Sequence, residues 1–275
     1  MIKDIAVHLT GSPEDATRLA HAAGVARVFD AHVTGLQLHE LPELLAITDP
    51  SGSEFLRQLI EQSNQRAQAV GAVIERQCDE LGLRNELRRL DAYPGRAGQV
   101  LAAAARQSDL FLGTRPYGDP GKAEWIEETV MFESGRPCLF IPPGYPAGAE
   151  FRNILVAWKD TREAARAVAD ALPFLRKAGS VVVAIVEEGP ASEREGRAPA
   201  GDIGRYLSRH GVKAEVHVVN GWNKVGDAIL NEGVRTGAHL IVMGAYGHSR
   251  VREWILGGAT REVLSHASIP VLVAH

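Results

Sequence analysis

The strongest indication of the fold is the sequence VMGAYGHSR at residues 242–250, followed by ILGGAT at 255–260. Its pattern predicts an apolar strand, a Gly-x-x-Gly turn and then a helix. Such a turn presents backbone N–H groups, and the N-terminal dipole of the helix favours negative charge. The arrangement suits an anion such as a phosphate, although two glycines three residues apart also occur in ordinary tight turns.

The spacing of these glycines resembles the nucleotide-binding signature of the universal stress protein family. The family pattern is Gly-x2-Gly-x9-Gly-Ser/Thr, followed by a helix and a Pro-Val-Leu-Val strand. This sequence carries Gly244-x2-Gly247-x9-Gly257-Gly258 and then a PVLV run at 270–273. Gly258 therefore stands in place of the usual hydroxyl residue, which removes one phosphate contact and leaves the backbone donor.

The chain repeats its pattern after about half its length. Three pairs of runs match, namely 4–9 with 153–158, 109–113 with 239–244, and 137–141 with 270–274. Within each half, short runs that predict strands, such as 83–90 in the first half and the β-branched run 180–186 in the second, alternate with helical runs. This alternation favours right-handed βαβ units, a parallel sheet and an internal duplication.

A proline- and glycine-rich segment, PPGYPAG at 142–148, separates the two repeats. Since proline and glycine continue neither a helix nor a central strand, the segment predicts a domain boundary. We expect α/β domains at 1–142 and 151–275, joined by a linker at 143–150. Each domain is predicted to be a doubly wound parallel sheet, Rossmann-like and similar to the adenine nucleotide alpha hydrolase-like fold.

The resemblance also implies how the two domains associate. Members of the family pair through their last strands, so residues 138–141 and 271–274 are expected to lie antiparallel and to form an intramolecular pseudo-dimer. Whether two chains associate further into a homodimer is open. No protein partner can be named from the sequence.

Composition and net charge limit the classes of partner that the sequence predicts. The 275 residues are 45% hydrophobic and 23% charged, with a formal net charge of −4, so nucleic acid is not predicted as a partner. The N-terminal residues lack the basic start and long apolar run of a signal peptide, and no stretch is apolar enough to span a membrane. Cys78 and Cys138 fit no redox or zinc spacing, which predicts core thiols and a cytoplasmic location.

The nucleotide is expected beyond the carboxyl ends of the strands in the second domain, because ligands collect there in open α/β sheets. By resemblance to the family, the adenine lies near the first strand and the phosphates lie near the glycines. The predicted nucleotide-binding residues are Ala157, Trp158, Lys159, Asp160, Val186, Gly244, Gly247, His248, Ser249, Arg250, Gly257, Gly258, Ala259 and Thr260. The implied ligand is ATP or AMP, with Mg²⁺ only alongside bound ATP.

Three positions of this set are open to more than one interpretation. Lys159 stands where nucleotide-binding members carry an aspartate, and an ammonium group cannot accept a hydrogen bond from an adenine amine or a ribose hydroxyl. Either Asp160 substitutes after a one-residue shift of the turn, or Lys159 points to phosphate. His248 either pairs with an anion or simply begins a helix, for which Ser249 is the expected N-cap.

The first domain is not expected to bind ATP. Prolines interrupt the turn after Gly113, no later glycine pair follows, and Thr10 replaces the first-strand aspartate. Glu127 and Glu128 fall in the same neighbourhood, where carboxylates would repel a triphosphate. Both glutamates are expected to be solvated, as is the Glu187–Glu188 pair.

These observations favour stress-associated adenine-nucleotide binding with at most slow ATP hydrolysis. The sequence contains no P-loop, no Gly-x-Ser-x-Gly nucleophile elbow and no His-Glu-x-x-His metal spacing, so no catalytic residue or metal site is predicted. The alternative is a nucleotide-free interaction protein that recruits its partner through the long helix at 53–80. The apolar stripe of that helix is nevertheless expected to pack in the core; it comprises Leu56, Leu59, Ile60, Val70, Val73 and Ile74.

Overall fold

Ten strands alternate with eight helices in the computed structural model, which describes residues 1–42, 50–93, 95–118, 123–146, 151–187, 199–245 and 258–275. The strands are β1 (Asp4–Leu9), β2 (His32–Glu40), β3 (Asn85–Ala92), β4 (Leu110–Thr114), β5 (Cys138–Ile141), β6 (Asn153–Ala157), β7 (Ser180–Val186), β8 (Glu215–Val219), β9 (Leu240–Gly244) and β10 (Val271–Ala274). The helices are α1 (Glu14–Phe29), α2 (Pro50–Glu80), α3 (Ala97–Ala105), α4 (Glu124–Glu133), α5 (Arg162–Leu175), α6 (Pro199–Arg209), α7 (Val225–Arg235) and α8 (Gly258–His266).

The strands form one sheet in the order β3-β2-β1-β4-β5-β10-β9-β6-β7-β8. The first five and the last five strands therefore repeat one plan, in which the first strand of each half lies in the middle of its group. Neighbouring strands within each half are parallel. The predicted α/β class and doubly wound parallel arrangement are confirmed.

The two halves meet where β5 pairs antiparallel with β10. Leu139 lies opposite Leu272, and the ladder continues from Phe140 with Val271 to Cys138 with Val273. All residues of both strands are buried. The predicted pairing of the last strands is confirmed, and neither strand is left as an exposed sheet edge. The domain limits at 142 and 151 stay a prediction.

An apolar layer covers each face of the sheet, because successive side chains of a strand point to opposite faces. Val7 and Val156 belong to one layer, whereas Ala6 and Leu155 belong to the other. Cys78 and Cys138 are both free and buried, as expected. Burial, together with the carboxylates of Asp79 and Glu75, raises the pKa of the Cys78 thiol to about 11.

The long helix α2 departs from expectation along part of its apolar stripe. Ile74 is 1% exposed, but Ile60 and Val73 are 37% and 49% exposed. The expectation that the whole stripe packs in the core is therefore wrong. Val73 is exposed because it lies about 100° around the helix from its neighbour Ile74, off the buried face that contains Ala67 and Cys78. Ile60 lies nearer the start of the helix, which at ~1.5 Å per residue is about 46 Å long, whereas the eight-residue strand β3 spans only about 26 Å.

Glu127 also departs from expectation, because it is buried rather than solvated. Its side chain is 1% exposed, and its Oε1 lies 3.1 Å from Nδ1 of the buried His8. Glu127 shares the inner face of α4 with Val130 and Met131, three and four residues further on. A buried polar partner on β1 thus replaces water at this position.

Candidate functional site

The carboxyl ends of β6 and β9 lie side by side in the second half of the sheet. The two strands are parallel, with Ala157 in register with Met243. From this point the chain winds in opposite directions, through β6, β7 and β8 on one side and through β9 and β10 on the other. Such a reversal opens a crevice at the carboxyl ends, where open α/β sheets bind ligands.

Three of the predicted residues occupy strand ends at this crevice. Ala157, Val186 and Gly244 are the last residues of β6, β7 and β9, and each is half-buried. Trp158 follows β6, donates its backbone N–H to the carbonyl of Ala184 at 2.8 Å and packs against the apolar layer. Its indole Nε1 is buried and has no hydrogen-bond partner among the described residues.

Lys159 and Asp160 are exposed in the turn that leads into α5. This turn is closed by a hydrogen bond from the N–H of Thr161 to the carbonyl of Lys159, at 2.8 Å. Thr161 then caps α5, since its Oγ1 accepts the N–H of Ala164 at 3.3 Å. Lys159 and Asp160, the polar residues predicted beside the adenine, therefore lie in the turn that leads into α5.

Gly244 lies against the first turn of α5. A Cβ at this position would be 2.5 Å from both the amide nitrogen of Ala164 and the carbonyl carbon of Glu163. Both contacts are to backbone, so no side-chain movement relieves them. The first glycine of the motif is thus required by the close approach of β9 and α5, whatever else it does.

The second part of the motif begins α8. Gly258 is the first residue of the helix and is exposed, and no atom of the described residues lies within 4 Å of the position a Cβ would take. Ala259 is half-buried and Thr260 is buried. The N-terminus of α8 favours negative charge. The remaining predicted residues lie outside the described residues: Gly247, His248, Ser249, Arg250 and Gly257.

Glu163 is a buried carboxylate at this site that sequence reasoning missed. Its Oε1 contacts Nε of Arg162, whereas Oε2 is buried with no hydrogen-bond partner among the described residues. Burial raises the pKa of Glu163, but the hydrogen bond from Arg162 and the nearby His275 hold it below its usual range. Acidic residues are common in the first turn of solvent-exposed helices, so the sequence carried no signal of burial.

The equivalent crevice of the first half is closed by its own side chains. Asp15 Oδ2 accepts the N–H of Gly11 at 2.7 Å, and both oxygens of Asp15 lie 3.1 Å from the amide nitrogen of Thr10. The turn after β1 corresponds to the Lys159–Asp160 turn after β6. The backbone N–H groups of Thr10 and Gly11 in this turn therefore already donate to a carboxylate of the protein itself, that of Asp15.

Arg18 completes this closure. Its side chain is 2% exposed and donates to Asp15 at 3.0 Å, to Glu14 at 2.7 Å and to Oγ1 of Thr114 at 2.8 Å. Thr114 is the last residue of β4, the position that Gly244 occupies on β9. The hydrogen-bonded cluster of Glu14, Asp15, Arg18 and Thr114 thus occupies the carboxyl ends of β1 and β4. That this half does not bind ATP stays a prediction.

No group of three or more His, Cys, Asp or Glu side chains in the described ranges is arranged to hold a metal ion. In the same part of the chain, no helix combines the length and apolarity needed to cross a membrane.

Comparison with known sequences points to one family. Residues 150–275 match the model of the Universal stress protein family. The chain is 30% identical over 151 residues to Universal stress protein Slr1230 of Synechocystis, a match that covers 53% of this chain and 49% of that protein. The chain thus spans about half the length of this curated relative.

Solved structures share the fold over nearly the whole chain. A universal stress protein from Archaeoglobus fulgidus DSM 4304 superposes with a TM-score of 0.77 and 19% identity, covering 98% of this chain and 95% of that one. A structure from Pseudomonas aeruginosa UCBPP-PA14 superposes with a TM-score of 0.64 and 16% identity, covering 99% and 93%. At these identities the likeness shows the fold alone.

Proposed function

We propose that residues 150–275, which match the model of the Universal stress protein family, bind an adenine nucleotide, ATP or AMP, in a stress-response role. One observation carries the proposal. The carboxyl ends of β6, β7 and β9 converge at the point where strand order reverses, and the two described glycines of the motif, Gly244 and Gly258, lie at the end of β9 and the start of α8.

The chemistry of the described residues fits the parts of a nucleotide. The open N-terminus of α8 at Gly258 suits a phosphate. Glu163 offers a buried carboxylate oxygen without a partner among the described residues, and such an acceptor suits a ribose hydroxyl. Asp160, exposed in the turn after β6, provides a second acceptor close to the strand end where adenine is proposed.

The proposal is a binding function rather than an efficient enzyme. Mg²⁺ would enter with the phosphates of ATP, held mainly by phosphate oxygens as is usual for this ion. We propose at most slow hydrolysis and one nucleotide per chain, since Asp15 and Arg18 fill the first-half crevice. The free, buried thiols of Cys78 and Cys138 also support a reducing, cytoplasmic location.

Calorimetry with a series of variants at Gly258 tests the proposal. ATP, ADP and AMP are titrated into the intact protein with Mg²⁺ present. Gly258→Ala fits the open space and should bind like the wild type. Gly258→Ser restores the family's hydroxyl and should bind about tenfold more tightly, because a hydrogen bond to a charged group contributes ~1.5–3 kcal/mol. Gly258→Glu, which places a carboxylate at the phosphate, should abolish binding.

The wild type should bind one equivalent in the micromolar range. No heat up to millimolar nucleotide would overturn the proposal. Equal affinity for Gly258→Ala and Gly258→Glu would also overturn it, because the nucleotide would then lie elsewhere. Thermal unfolding of each variant without ligand verifies that the domain remains folded.

A second candidate is a nucleotide-free interaction protein that recruits a partner through α2. Three apolar side chains on this helix are exposed: Phe55, Ile60 and Val73, at 60%, 37% and 49%. An apolar partner-binding surface would need these side chains to form one contiguous exposed patch, since single exposed apolar residues are ordinary. The calorimetry separates the two candidates, since only the first predicts heat with nucleotide.

A further inference from the structure

Three side chains of the first half form a hydrogen-bonded line of serine, histidine and aspartate. Ser63 lies on α2, His39 on β2 and Asp91 on β3. Oγ of Ser63 is 2.9 Å from Nε2 of His39, and Nδ1 of His39 is 2.8 Å from Oδ1 of Asp91. In enzymes, this order of groups turns a serine hydroxyl into a nucleophile.

The fold holds this line in place through adjacent elements. His39 and Asp91 are in register on neighbouring parallel strands, so their side chains project from the same face near the carboxyl ends. Ser63 and Ala67 share one face of α2, four residues apart. Two residues before His39, Gln37 donates its Nε2 to the carbonyl of Ala67 at 2.7 Å. This buried hydrogen bond fixes α2 over β2 and sets the approach of Ser63 to the ring.

The tautomer of His39 decides whether Ser63 is activated. If Nδ1 carries the proton and donates it to Asp91, Nε2 is free to accept the Ser63 hydroxyl. Arg89 lies beside the pair: its Nε donates to Asp91 at 2.6 Å, and its Nη2 contacts Asn64. The same Nη2 is 3.0 Å from Nδ1 and can only donate, so Arg89 favours an unprotonated Nδ1 whereas Asp91 favours Nδ1–H. Burial raises the pKa of Asp91, but hydrogen bonds from His39 and Arg89 hold it below its usual range, so the carboxylate is ionised to accept Nδ1–H.

We propose that Ser63 is a nucleophile toward activated carboxylic esters, with His39 as its general base and Asp91 as the positioning residue. Oγ attacks the carbonyl carbon while its proton passes to Nε2 of His39. The ester C–O bond then breaks, and the same proton passes to the leaving alcohol. Water attacks the resulting acyl-serine by the same route, which releases the acid and restores Ser63.

The surroundings of Ser63 set the expected rate. Ser63 lies in the middle of α2, where the backbone N–H groups are committed to the hydrogen bonds of the helix. Backbone donors for the oxyanion are therefore not available from α2, and the loss of even one such donor costs enzymes about 10²–10³ in kcat. The site suits activated esters, and we expect slow acylation, most visible as covalent labelling. It lies on the first half and does not depend on the nucleotide proposal.

Covalent labelling of the intact protein tests this proposal. The protein is treated with a fluorophosphonate probe and with p-nitrophenyl acetate, and the modified residue is located by peptide mass spectrometry. Ser63 should be labelled by both reagents. His39→Gln should lower the rate about 100-fold, because a general base contributes ~10²–10⁴-fold. Ser63→Ala should abolish labelling.

A matched control comes from the other half of the chain. Ser208 is an exposed serine on α6, and Ser208→Ala should leave the labelling unchanged. Asp91→Asn should lower the rate and change the tautomer of His39, which ¹⁵N chemical shifts report; thermal unfolding of each variant verifies the fold. The proposal is overturned if Ser63 reacts no faster than Ser208, if His39→Gln reacts like the wild type, or if Nε2 carries the proton in the neutral ring.

Discussion

Substitution of Gly244 by alanine tests whether the end of β9 is packed directly on the backbone of α5. The new Cβ would be 2.5 Å from two backbone atoms and 2.9 Å from the carbonyl oxygen of Glu163, so α5 must move as a unit. Overpacking of this kind costs about 1–3 kcal/mol. Gly258→Ala is the matched control because its Cβ enters open space, and loss of glycine flexibility there should stabilise by about 0.4–1 kcal/mol.

Urea unfolding at pH 7, followed by circular dichroism, measures both variants. We expect Gly244→Ala to lower the free energy of unfolding by about 1–3 kcal/mol and Gly258→Ala to leave it unchanged or slightly higher. In thermal scans the first change corresponds to roughly 2–4 °C per kcal/mol. A Gly244→Ala protein as stable as the wild type would refute the close approach, and the glycine would then have to be explained by ligand binding alone.

Three further predictions concern charged and thiol groups. Asp15→Ala should lower the unfolding free energy by about 3–5 kcal/mol in urea, because it leaves the buried guanidinium of Arg18 without its buried carboxylate partner; Glu14, at 2.7 Å, is 39% exposed. A loss below about 1 kcal/mol would contradict a buried ion pair. Hydrogen bonding to Arg235 lowers the pKa of Glu232, so the stabilisation from its carboxylate is present above pH ~4.3 and is lost as the pH falls further. Glu232→Gln should therefore have a lower free energy of unfolding than the wild type at pH 7, and the two values should converge at about pH 3. A difference that stays constant with pH would contradict this. The thiols of Cys78 and Cys138 should not react with a disulfide reagent at pH 8 until the protein is unfolded in urea. Prompt reaction of either thiol would show that it is not buried.

The sequence predicted those parts of the fold that depend on local apolar patterns. The run at 180–186 became β7 with the same limits, and the last strands of the two halves pair as expected. The predicted ends of a strand were less accurate where pairing with a neighbouring strand sets them. The strand predicted at 83–90 is β3 at Asn85–Ala92, in register with β2. A strand ends where its partner ends, which its own residues do not encode.

Side chains whose partners are distant in sequence could not be predicted. Glu127 was expected in water, yet its partner His8 is 119 residues away. In the hydrogen-bonded line of Ser63, His39 and Asp91, His39 is 24 residues from Ser63 and 52 from Asp91. The packing of α2 on β2 and the pairing of β2 with β3 bring the three together. Periodicity describes which face of an element is apolar, but it does not say which polar group lies opposite.

The antiparallel join between β5 and β10 has a consequence for synthesis on the ribosome. About 130 residues separate Ile141, at the end of β5, from Val271, at the start of β10. At ~5–20 residues per second, a completed first half waits on the order of ten seconds with the hydrogen-bonding edge of β5 uncovered. During that interval the edge is open to β5 of a neighbouring nascent chain or to a chaperone. Closure of the sheet must therefore wait until the second half has been synthesised.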